Sequence, residues 1–205
     1  NFYQMELLAE LEKEGELIAR VEVPFHMKSH DPIDRLEEAE EMRARYASEY
    51  LWCNRVKMFM DGVMESRTGL MLENYPGTDT NGDAVFTPEE FNAACVAADA
   101  KGFQISTHAI GDLAVRRTLD GYAKAREANG ARDARHRMEH IEIIHPDDLP
   151  RLGELDVVAS IQPGHAAFGH FFPPHGIREV LRPDQWPYAY AWRAQREHAA
   201  RMVFS

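Results

Sequence analysis

Two histidines follow predicted strands at positions that suit metal binding. In FQISTHAIGD, residues 103–112, polar and apolar side chains alternate up to His108, and HRMEHIEII, residues 136–144, places His140 at a comparable depth. The residues between them predict a helix, and two parallel strands joined by a helix have their C-terminal ends at the same edge of a sheet. Either histidine alone is better interpreted as a hydrogen-bonded core residue. Together they could bind a divalent metal, since imidazole nitrogens suit zinc and similar ions.

Lys57 is the third unusual residue because it lies in the middle of an apolar segment, RVKMFMDGV, at residues 55–63. Alternation puts it on the same strand face as Phe59 and Asp61. A buried lysine must pair, lose its proton or be chemically altered, because burying a charge is costly. For the lysine alone, an ion pair with Asp61 or a side chain that reaches solvent is the better interpretation. A neutral lysine can also react with carbon dioxide to give a carbamate, an oxygen ligand for metals, and the two histidines favour this second interpretation.

The segment from His136 to His140 also matches a competing motif, H-x-x-E-H, the inverted signature of zinc peptidases. That chemistry requires a helix, in which both histidines share one face. The isoleucines that follow, and the position of the segment between two predicted helices, indicate a strand instead. A substitution of Glu139 would separate the two interpretations, because it would abolish peptidase chemistry but mainly perturb packing in a strand.

Length and charge limit the class of protein. The 205 residues are enough for one well-buried domain, and no composition break divides residues 1–205. The net charge of −11 argues against a nucleic-acid or anionic-membrane surface. No stretch is apolar enough for a membrane span, and the two cysteines lie far apart, so we expect a reduced, cytoplasmic protein. Because the chain begins in a helical pattern without an initiator methionine, we expect it to be part of a longer protein.

Short apolar segments alternate with helical patterns along the chain. Strands are predicted at residues 17–27, 55–63, 103–112, 136–144, 157–163 and 202–205. Helices are predicted at residues 2–15, 32–50, 87–100, 113–128, 146–156 and 188–200. Helices of this length between short strands imply parallel pairing. Residues 64–86 are predicted to form a long loop. Residues 168–186 are predicted to form a lid over the pocket, and the alternative is an irregular surface segment stabilised by its own aromatic side chains.

Several segments resemble the YtcJ-like branch of the amidohydrolase superfamily, which includes N-substituted formamide deformylases. The resemblance rests on VKMFMDGV, THAIGDLAVRRTLDGYAKA, RHRMEHIEIIHPDDLPRLGEL, VVASIQPGHAAF and YAWRAQREHAARMVFS, and it covers nearly the whole chain in order. It implies an α/β fold that is part of a (β/α)8 TIM barrel, with strands three to seven and the start of strand eight, incomplete at both ends. It also implies that Lys57 is a carboxylated lysine on strand four, and that His108 and His140 are metal ligands on strands five and six.

The implied reaction is hydrolysis of a non-peptide carbon–nitrogen bond, such as an amide or formamide, in a small organic substrate. A divalent metal, expected to be zinc with one or two ions in the intact protein, would lower the pKa of its bound water and polarise the substrate carbonyl. The family also has an H-x-H pair on strand one and an aspartate on strand eight, and this sequence has neither. Because that aspartate would be the general base, we expect the base to lie beyond Ser205.

Three further residues are candidates for substrate binding. Gln162 and His165 follow the strand predicted at residues 157–163, and Arg67 in the long loop could bind a substrate carboxylate. For Gln162 and His165, the alternative is a loop polar group that satisfies the backbone, and for Arg67 it is an ordinary loop arginine without a binding role.

Two aspartates are predicted to support the site. Asp61 is expected to orient Lys57 or to close the turn at Gly62, and Asp112 to cap the helix that follows it.

The missing ligands affect what this chain is expected to do by itself. With at most three ligands and no general base, we expect an inactive fragment whose metal site is empty or weakly held. Unpaired edges on the third and eighth strands are expected to cause self-association into a homo-oligomer or to leave a partly open sheet. A non-catalytic relative that retains the barrel and binds a partner is the alternative to an enzyme.

Overall fold

The computed structural model describes residues 2–166, 179–199 and 201–205, in which strands alternate with helices. The strands are β1 (Val21–Glu22), β2 (Phe25–His26), β3 (Leu51–Trp52), β4 (Arg55–Phe59), β5 (Gln104–Ala109), β6 (Arg137–His140), β7 (Val158–Ile161) and β8 (Arg201–Phe204). The α-helices are α1 (Phe2–Lys13), α2 (Leu36–Arg45), α3 (Pro88–Ala100), α4 (Asp112–Asn129), α5 (Leu149–Glu154) and α6 (Trp192–His198). Short 3-10 turns lie at Ile33–Arg35, Pro146–Asp148, Pro163–His165 and Trp186–Tyr188.

Six strands form one sheet in the order β2-β4-β5-β6-β7-β8, and all of its neighbouring strands are parallel. β1 and β3 pair in parallel just before β2 and β4, so each of these two barrel strands is built from two short segments. The spatial order of the strands follows their order in the chain, which is the pattern of successive β-α units. Among the described residues, β2 and β8 each have a neighbour in this sheet on one side only. The predicted parallel α/β sheet is confirmed.

The start of α3 shows how the local sequence sets an element boundary. Thr87 Oγ1 accepts the N–H of Glu90 at 3.2 Å, and the Glu90 carboxylate accepts the N–H of Thr87 at 3.0 Å. Pro88 occupies the first turn, where a backbone N–H would have no partner within the helix, so proline's missing N–H costs no hydrogen bond. α4 ends at Asn129 and is followed by the C-cap Gly130, whose φ of 86° is readily adopted only by glycine.

The core lies between the sheet and the helices that cover its outer face. Val56 and Met58 of β4 and Ile105 of β5 are fully buried there. α3 and α4 pack closely against each other, because a side chain at Gly121 would place its Cβ only 2.5 Å from the Phe91 ring. Both cysteines are free and buried in this core.

Several element boundaries differ from the prediction, including those of two predicted helices. The helix predicted at residues 32–50 ends earlier, with α2, because the residues just after it form β3 and pair with β1. The helix predicted at residues 188–200 is reduced to α6, which follows a 3-10 turn. The lid predicted at residues 168–186 falls largely on residues 167–178, which lie outside the described residues.

The long loop predicted at residues 64–86 is confirmed, since all of these residues are described and none belongs to a helix or strand. Tyr75 fixes this loop internally by donating its hydroxyl to the Gly69 carbonyl at 2.6 Å. In the part of the chain that the structure describes, no helix combines the length and the hydropathy needed to cross a membrane.

Candidate metal centre

Alternate residues of the central strands face the inner side of the sheet, opposite the helices. The register pairs Lys57 with Ser106, Phe59 with His108, and His108 with Glu139. These residues share one face, because side chains alternate between the two faces of a sheet and the intervening residues are buried against the helices. His108 therefore lies near the C-terminal end of β5 on the inner face, and Lys57, opposite Ser106, lies two residues deeper in the sheet.

His140, the last residue of β6, has a left-handed backbone with φ 77°, and Ile141 follows with φ 49°. Such a conformation costs on the order of 1 kcal/mol for each non-glycine residue. Simple alternation would place His140 on the same face as Met138, toward the helices. The ring contacts His108 instead, with 4.6 Å between ring centroids, and its buried Nδ1 has no hydrogen-bond partner among the described residues.

Burial favours the neutral form of both imidazoles. It lowers the pKa of His140 to about 3, and the charges of His108 and Lys57 act in the same direction. Burial also lowers the pKa of His108, although the hydrogen bond of its Nε2 with the Gly62 carbonyl, 2.7 Å long, opposes the shift. Because a carbonyl can only accept, His108 carries its proton on Nε2 and has a free lone pair on Nδ1. A neutral imidazole is the form that binds a metal.

Lys57 has no ion pair among the described residues. Its Nζ lies 4.7 Å from the centroid of the Phe59 ring. Burial lowers the pKa of Lys57 to about 8, while the nearby Glu139 carboxylate opposes this shift. The alternative ion pair with Asp61 is not formed, because that carboxylate turns toward backbone N–H groups of two loops.

Asp61 joins the loop after β4 to the loop after β5. Its carboxylate accepts the N–H groups of Leu70 at 2.9 Å, Ile110 at 3.0 Å and Gly111 at 2.9 Å. Oδ1 also lies 3.5 Å from Nε2 of His108. Burial raises the pKa of Asp61 to about 7, although the three N–H groups lower it. Asp61 therefore closes the loops beside His108 and does not orient the lysine.

Asp112 is not the N-cap of α4, and this prediction was wrong by one residue. Gly111 occupies the cap with extended backbone, where a Cβ would lie 2.1 Å from the Leu70 carbonyl oxygen. The close approach of the long loop thus requires glycine at this position. Asp112 is the first helical residue, and its Oδ1 accepts the N–H groups of Leu72 at 2.7 Å and Leu113 at 2.9 Å. It therefore ties the loop to the helix.

Gln162 and Arg67, two of the residues predicted to bind substrate, lie in different surroundings. Gln162 lines a concave surface of about 380 Å³ together with Lys57 and His140. Its Nε2 donates to Ser205 Oγ, and its buried Oε1 has no partner within the described residues. Arg67 lies exposed on the turn after β4 with φ 57°, and its guanidinium has no ion pair in the described ranges. Substrate binding by either residue stays a prediction.

His165 belongs to a group that was not predicted from the sequence. Its ring stacks on that of His140, with centroids 5.4 Å apart and an interplanar angle of 11°. Its Nδ1 lies 3.1 Å from Oε1 of Glu142, and the Tyr190 hydroxyl donates to Oε2 of Glu142 at 3.1 Å. Burial raises the pKa of Glu142, although both hydrogen bonds oppose the shift. A glutamate within the apolar run HIEII is the sequence signal that could have revealed this group.

The donor atoms at this edge fit a divalent metal. One ligand atom from each of His140, Glu142 and His165 lies within 4.8 Å of the other two. Imidazole and carboxylate donors suit zinc and similar ions, and the unpartnered Nδ1 of His140 is a buried polar atom that an ion would satisfy.

The peptidase alternative is wrong, because Arg137–His140 is a strand and not a helix. His136, just before this strand, lies at its N-terminal end. Its Nε2 is 3.1 Å from Oδ1 of Asp99, and its Nδ1 accepts the N–H of Ile105 at 3.0 Å. The two histidines of the motif therefore lie at opposite ends of β6 and do not share a site.

Comparisons with known proteins identify the family of this chain. The sequence profile described as Amidohydrolase family matches residues 1–205. The chain belongs to the amidohydrolase family.

Two curated relatives are similar over most of the chain. Protein LONG AFTER FAR-RED 3 of Arabidopsis thaliana is 40% identical over 132 residues, which are 64% of this chain and 23% of the relative. The putative amidohydrolase YtcJ of Bacillus subtilis (strain 168) is 29% identical over 165 residues, 80% of this chain and 29% of the relative. The predicted resemblance to the YtcJ-like branch is confirmed. The chain spans about a quarter of the length of these relatives.

One solved structure shows the same fold. The crystal structure of an uncharacterized metal-dependent hydrolase from Pyrococcus furiosus is 27% identical, with a TM-score of 0.80 over 98% of this chain and 39% of that chain. The predicted fold class is confirmed: the described strands are part of an amidohydrolase TIM barrel that these 205 residues do not close.

Proposed function

We propose that this chain is part of a metal-dependent hydrolase that cleaves non-peptide carbon–nitrogen bonds, such as amides or formamides, in small organic substrates. Membership of the amidohydrolase family supports the reaction class. The single observation that carries the proposal is the pair of imidazoles at the ends of adjacent strands. His108 and His140 lie 4.6 Å apart between ring centroids, and the buried Nδ1 of His140 has no partner among the described residues.

Lys57, His108 and His140 would hold the ion, which we propose to be zinc, with one or two ions in the intact protein. Nitrogen donors and a carbamate oxygen form a ligand set of the kind that zinc accepts. When bound, the metal would lower the pKa of a water molecule toward neutrality and polarise the substrate carbonyl.

The protein's own groups prepare this site. Lys57, with a pKa of about 8, has an appreciable neutral fraction near pH 7.5, and the neutral amine is the form that can become a carbamate. His108 donates its Nε2–H to the Gly62 carbonyl, so its Nδ1 lone pair is available. Asp61 fixes the two loops on either side of that ring.

The remaining roles complete the proposal. Gln162 and Arg67 would contact the substrate, and an aspartate beyond Ser205 would act as the general base that takes a proton from water. The relatives are about four times as long as the matched part of this chain, which supports placing further site residues outside it. We therefore propose that residues 1–205 alone do not catalyse the reaction.

The test uses the full-length protein. Its metal content is measured after purification, and N-acyl and N-formyl amines are screened as substrates with and without a chelator. We expect hydrolysis that chelator abolishes and added zinc restores. His140→Asn should lower both the metal content and kcat/KM, the latter by at least about 100-fold. His145→Gln is the matched control, since His145 lies five residues further along the chain and, among the described residues, forms its hydrogen bond and ion pair within the local turn at Asp147.

Two results would count against the proposal. Hydrolysis that is insensitive to chelator would remove the metal from the mechanism. A full-length protein that holds no metal and cleaves no amide would favour the alternative of a non-catalytic, partner-binding relative.

A further inference from the structure

A short turn after β7 returns the chain toward β6. Pro163–His165 forms a 3-10 turn in which the His165 N–H donates to the Gln162 carbonyl at 3.0 Å. Proline presets the first backbone angle of such a turn. The turn therefore brings an imidazole from β7 over the end of β6, where it stacks on His140 with 5.4 Å between ring centroids.

Glu142 is buried at the same place, and each of its carboxylate oxygens has one partner. Oε1 is 3.1 Å from Nδ1 of His165, and Oε2 accepts the Tyr190 hydroxyl at 3.1 Å. The Glu142 side chain is 6% exposed, whereas that of His165 is 44% exposed. A buried carboxylate–imidazole pair is weak evidence for stabilisation, because desolvation offsets much of the attraction. Its geometry instead indicates that the glutamate orients the histidine.

Tyr190 is itself held in place by the backbone. Its N–H donates to the Glu142 carbonyl at 2.7 Å, and an isolated bridge pairs the neighbouring residues Ile143 and Ala189. The hydroxyl therefore meets the carboxylate from a fixed segment. Tyr190 contacts Glu142, and Glu142 in turn contacts His165, so the three side chains form one hydrogen-bonded series.

We propose that His165 is a further ligand of the metal at His140, oriented through Glu142 and Tyr190. With Nδ1–H donated to the carboxylate, the lone pair of His165 Nε2 would be available to an ion. A carboxylate that fixes the tautomer and the ring plane of a metal-binding histidine is a recurring arrangement, and such partners change metal affinity when they are removed. The ion would then be bound by three neighbouring strands, β5, β6 and β7, in addition to Lys57 of β4.

This inference rests on the metal centre of the proposed function, but not on that centre being hydrolytic. The role differs from the substrate contact predicted for His165 from its position after β7. The two roles separate experimentally, because removing a ligand weakens binding of the metal itself, whereas removing a substrate contact leaves the affinity for the metal unchanged.

The experiment measures zinc binding to the metal-free, full-length protein by competition with a chromogenic chelator. We expect His165→Gln to weaken zinc binding by about 100-fold and Glu142→Gln by about 10-fold, because the second variant loses only the orienting charge. Tyr190→Phe should have a smaller effect in the same direction. His145→Gln, on the same side of the sheet but outside the group, should bind zinc like the wild type.

X-ray absorption of the zinc-loaded protein provides a second readout, since the number of imidazoles around the ion should fall by one in His165→Gln. Circular dichroism and the thermal midpoint confirm that each variant is folded. Zinc affinity of His165→Gln within twofold of the wild type would overturn the inference and leave the proposed function intact. A wild-type protein that binds no zinc would overturn it as well. Zinc held through His165 in a protein that hydrolyses nothing would support the inference and contradict the proposed function.

Discussion

The two ends of β6 carry the same side chain in opposite situations. At the N-terminal end, His136 accepts an N–H from Ile105 with Nδ1 and bonds Asp99 with Nε2. At the C-terminal end, His140 has a buried Nδ1 without a partner among the described residues. His136 and His140 are only four positions apart in the chain. Both ring nitrogens of His136 are hydrogen-bonded, whereas Nδ1 of His140 has no partner among the described residues.

The surroundings differ in the same way. Around His136, Asp99 also accepts hydrogen bonds from Asn129 at 2.9 Å and Arg132 at 2.7 Å. Around His140, the backbone is left-handed, and Lys57 has a lowered pKa and no ion pair in the described residues. The first end holds the fold together, whereas the second retains strain and unpaired polar atoms. Such features persist where the surrounding structure enforces them, and they cluster at functional sites.

The largest expected effect comes from the N-terminal end. Asp99→Asn should lower the free energy of unfolding by about 3 kcal/mol, because it removes the charge from a buried group bonded to His136, Asn129 and Arg132. Urea unfolding at pH 7 measures the loss, and zinc affinity should not change. Asp133→Asn, in an exposed pair with Arg135, is the control and should cost less than about 0.5 kcal/mol.

The same carboxylate sets a pH dependence. Burial opposes ionisation of Asp99, but the hydrogen bonds and charges of its partners hold its pKa at about 2. A carboxyl group whose pKa is lowered on folding contributes stability that is lost as the pH falls through its folded value. The difference between wild type and Asp99→Asn should therefore shrink as the pH falls from about 4 to 2. A difference that does not change over this range would contradict the comparison.

The arrangement of strands was predictable because it depends on local patterns. Alternation along β5 indicates which side chains share a face with His108, and helices between the strands imply parallel pairing. The family resemblance added the position of each strand in a barrel. Strand alternation and parallel pairing recur in every β-α unit, so the exact position of one turn or cap does not change the predicted sheet.

The details of the site were less predictable because they depend on backbone turns and on distant segments. Alternation alone would have placed His140 toward the helices, and its left-handed φ reverses this. Glu142 meets Tyr190 across 48 positions in the chain, so no local pattern could pair them. The cap at Gly111 was missed because its cause is the close approach of a loop that comes some forty residues earlier.

At the C-terminal end, a substitution is expected to raise the free energy of unfolding by an intermediate amount, whereas Asp99→Asn lowers it. In metal-free, carbon-dioxide-free buffer, Lys57→Met should raise the free energy of unfolding at pH 7 by about 2 kcal/mol, because it removes a charge that burial disfavours. The folded pKa is about 8 against an ordinary value of 10.5, so the unfolded chain binds the proton more tightly. Wild-type stability should therefore rise between these two values, and the advantage of the variant should vanish by the upper one. Denaturant unfolding across this pH range is the measurement, and a variant less stable than wild type at pH 7 would contradict it.

The smallest expected change in stability comes from tyrosine-to-phenylalanine substitutions near the two ends of β6, at Tyr122 and Tyr190. Tyr122 of α4 is buried, and its ring centroid lies 5.1 Å from that of His136. Its hydroxyl lies 2.9 Å from Thr107 Oγ1 and 2.7 Å from the Arg137 carbonyl. Tyr122→Phe should lower the free energy of unfolding by about 1 kcal/mol, because a buried carbonyl loses its hydrogen bond while the ring still fills its space.

Tyr190→Phe provides the counterpart at the other end, where the hydroxyl bonds the Glu142 carboxylate. If the two ends differ as argued, Tyr122→Phe lowers stability and leaves zinc affinity unchanged. Tyr190→Phe should instead weaken zinc binding more than it lowers stability, since its hydroxyl acts on a group near the ion. Thermal unfolding without metal and zinc titration of both variants give the two numbers for each tyrosine. Equal effects of the two substitutions on zinc affinity would remove the distinction between a structural end and a metal-binding end of β6.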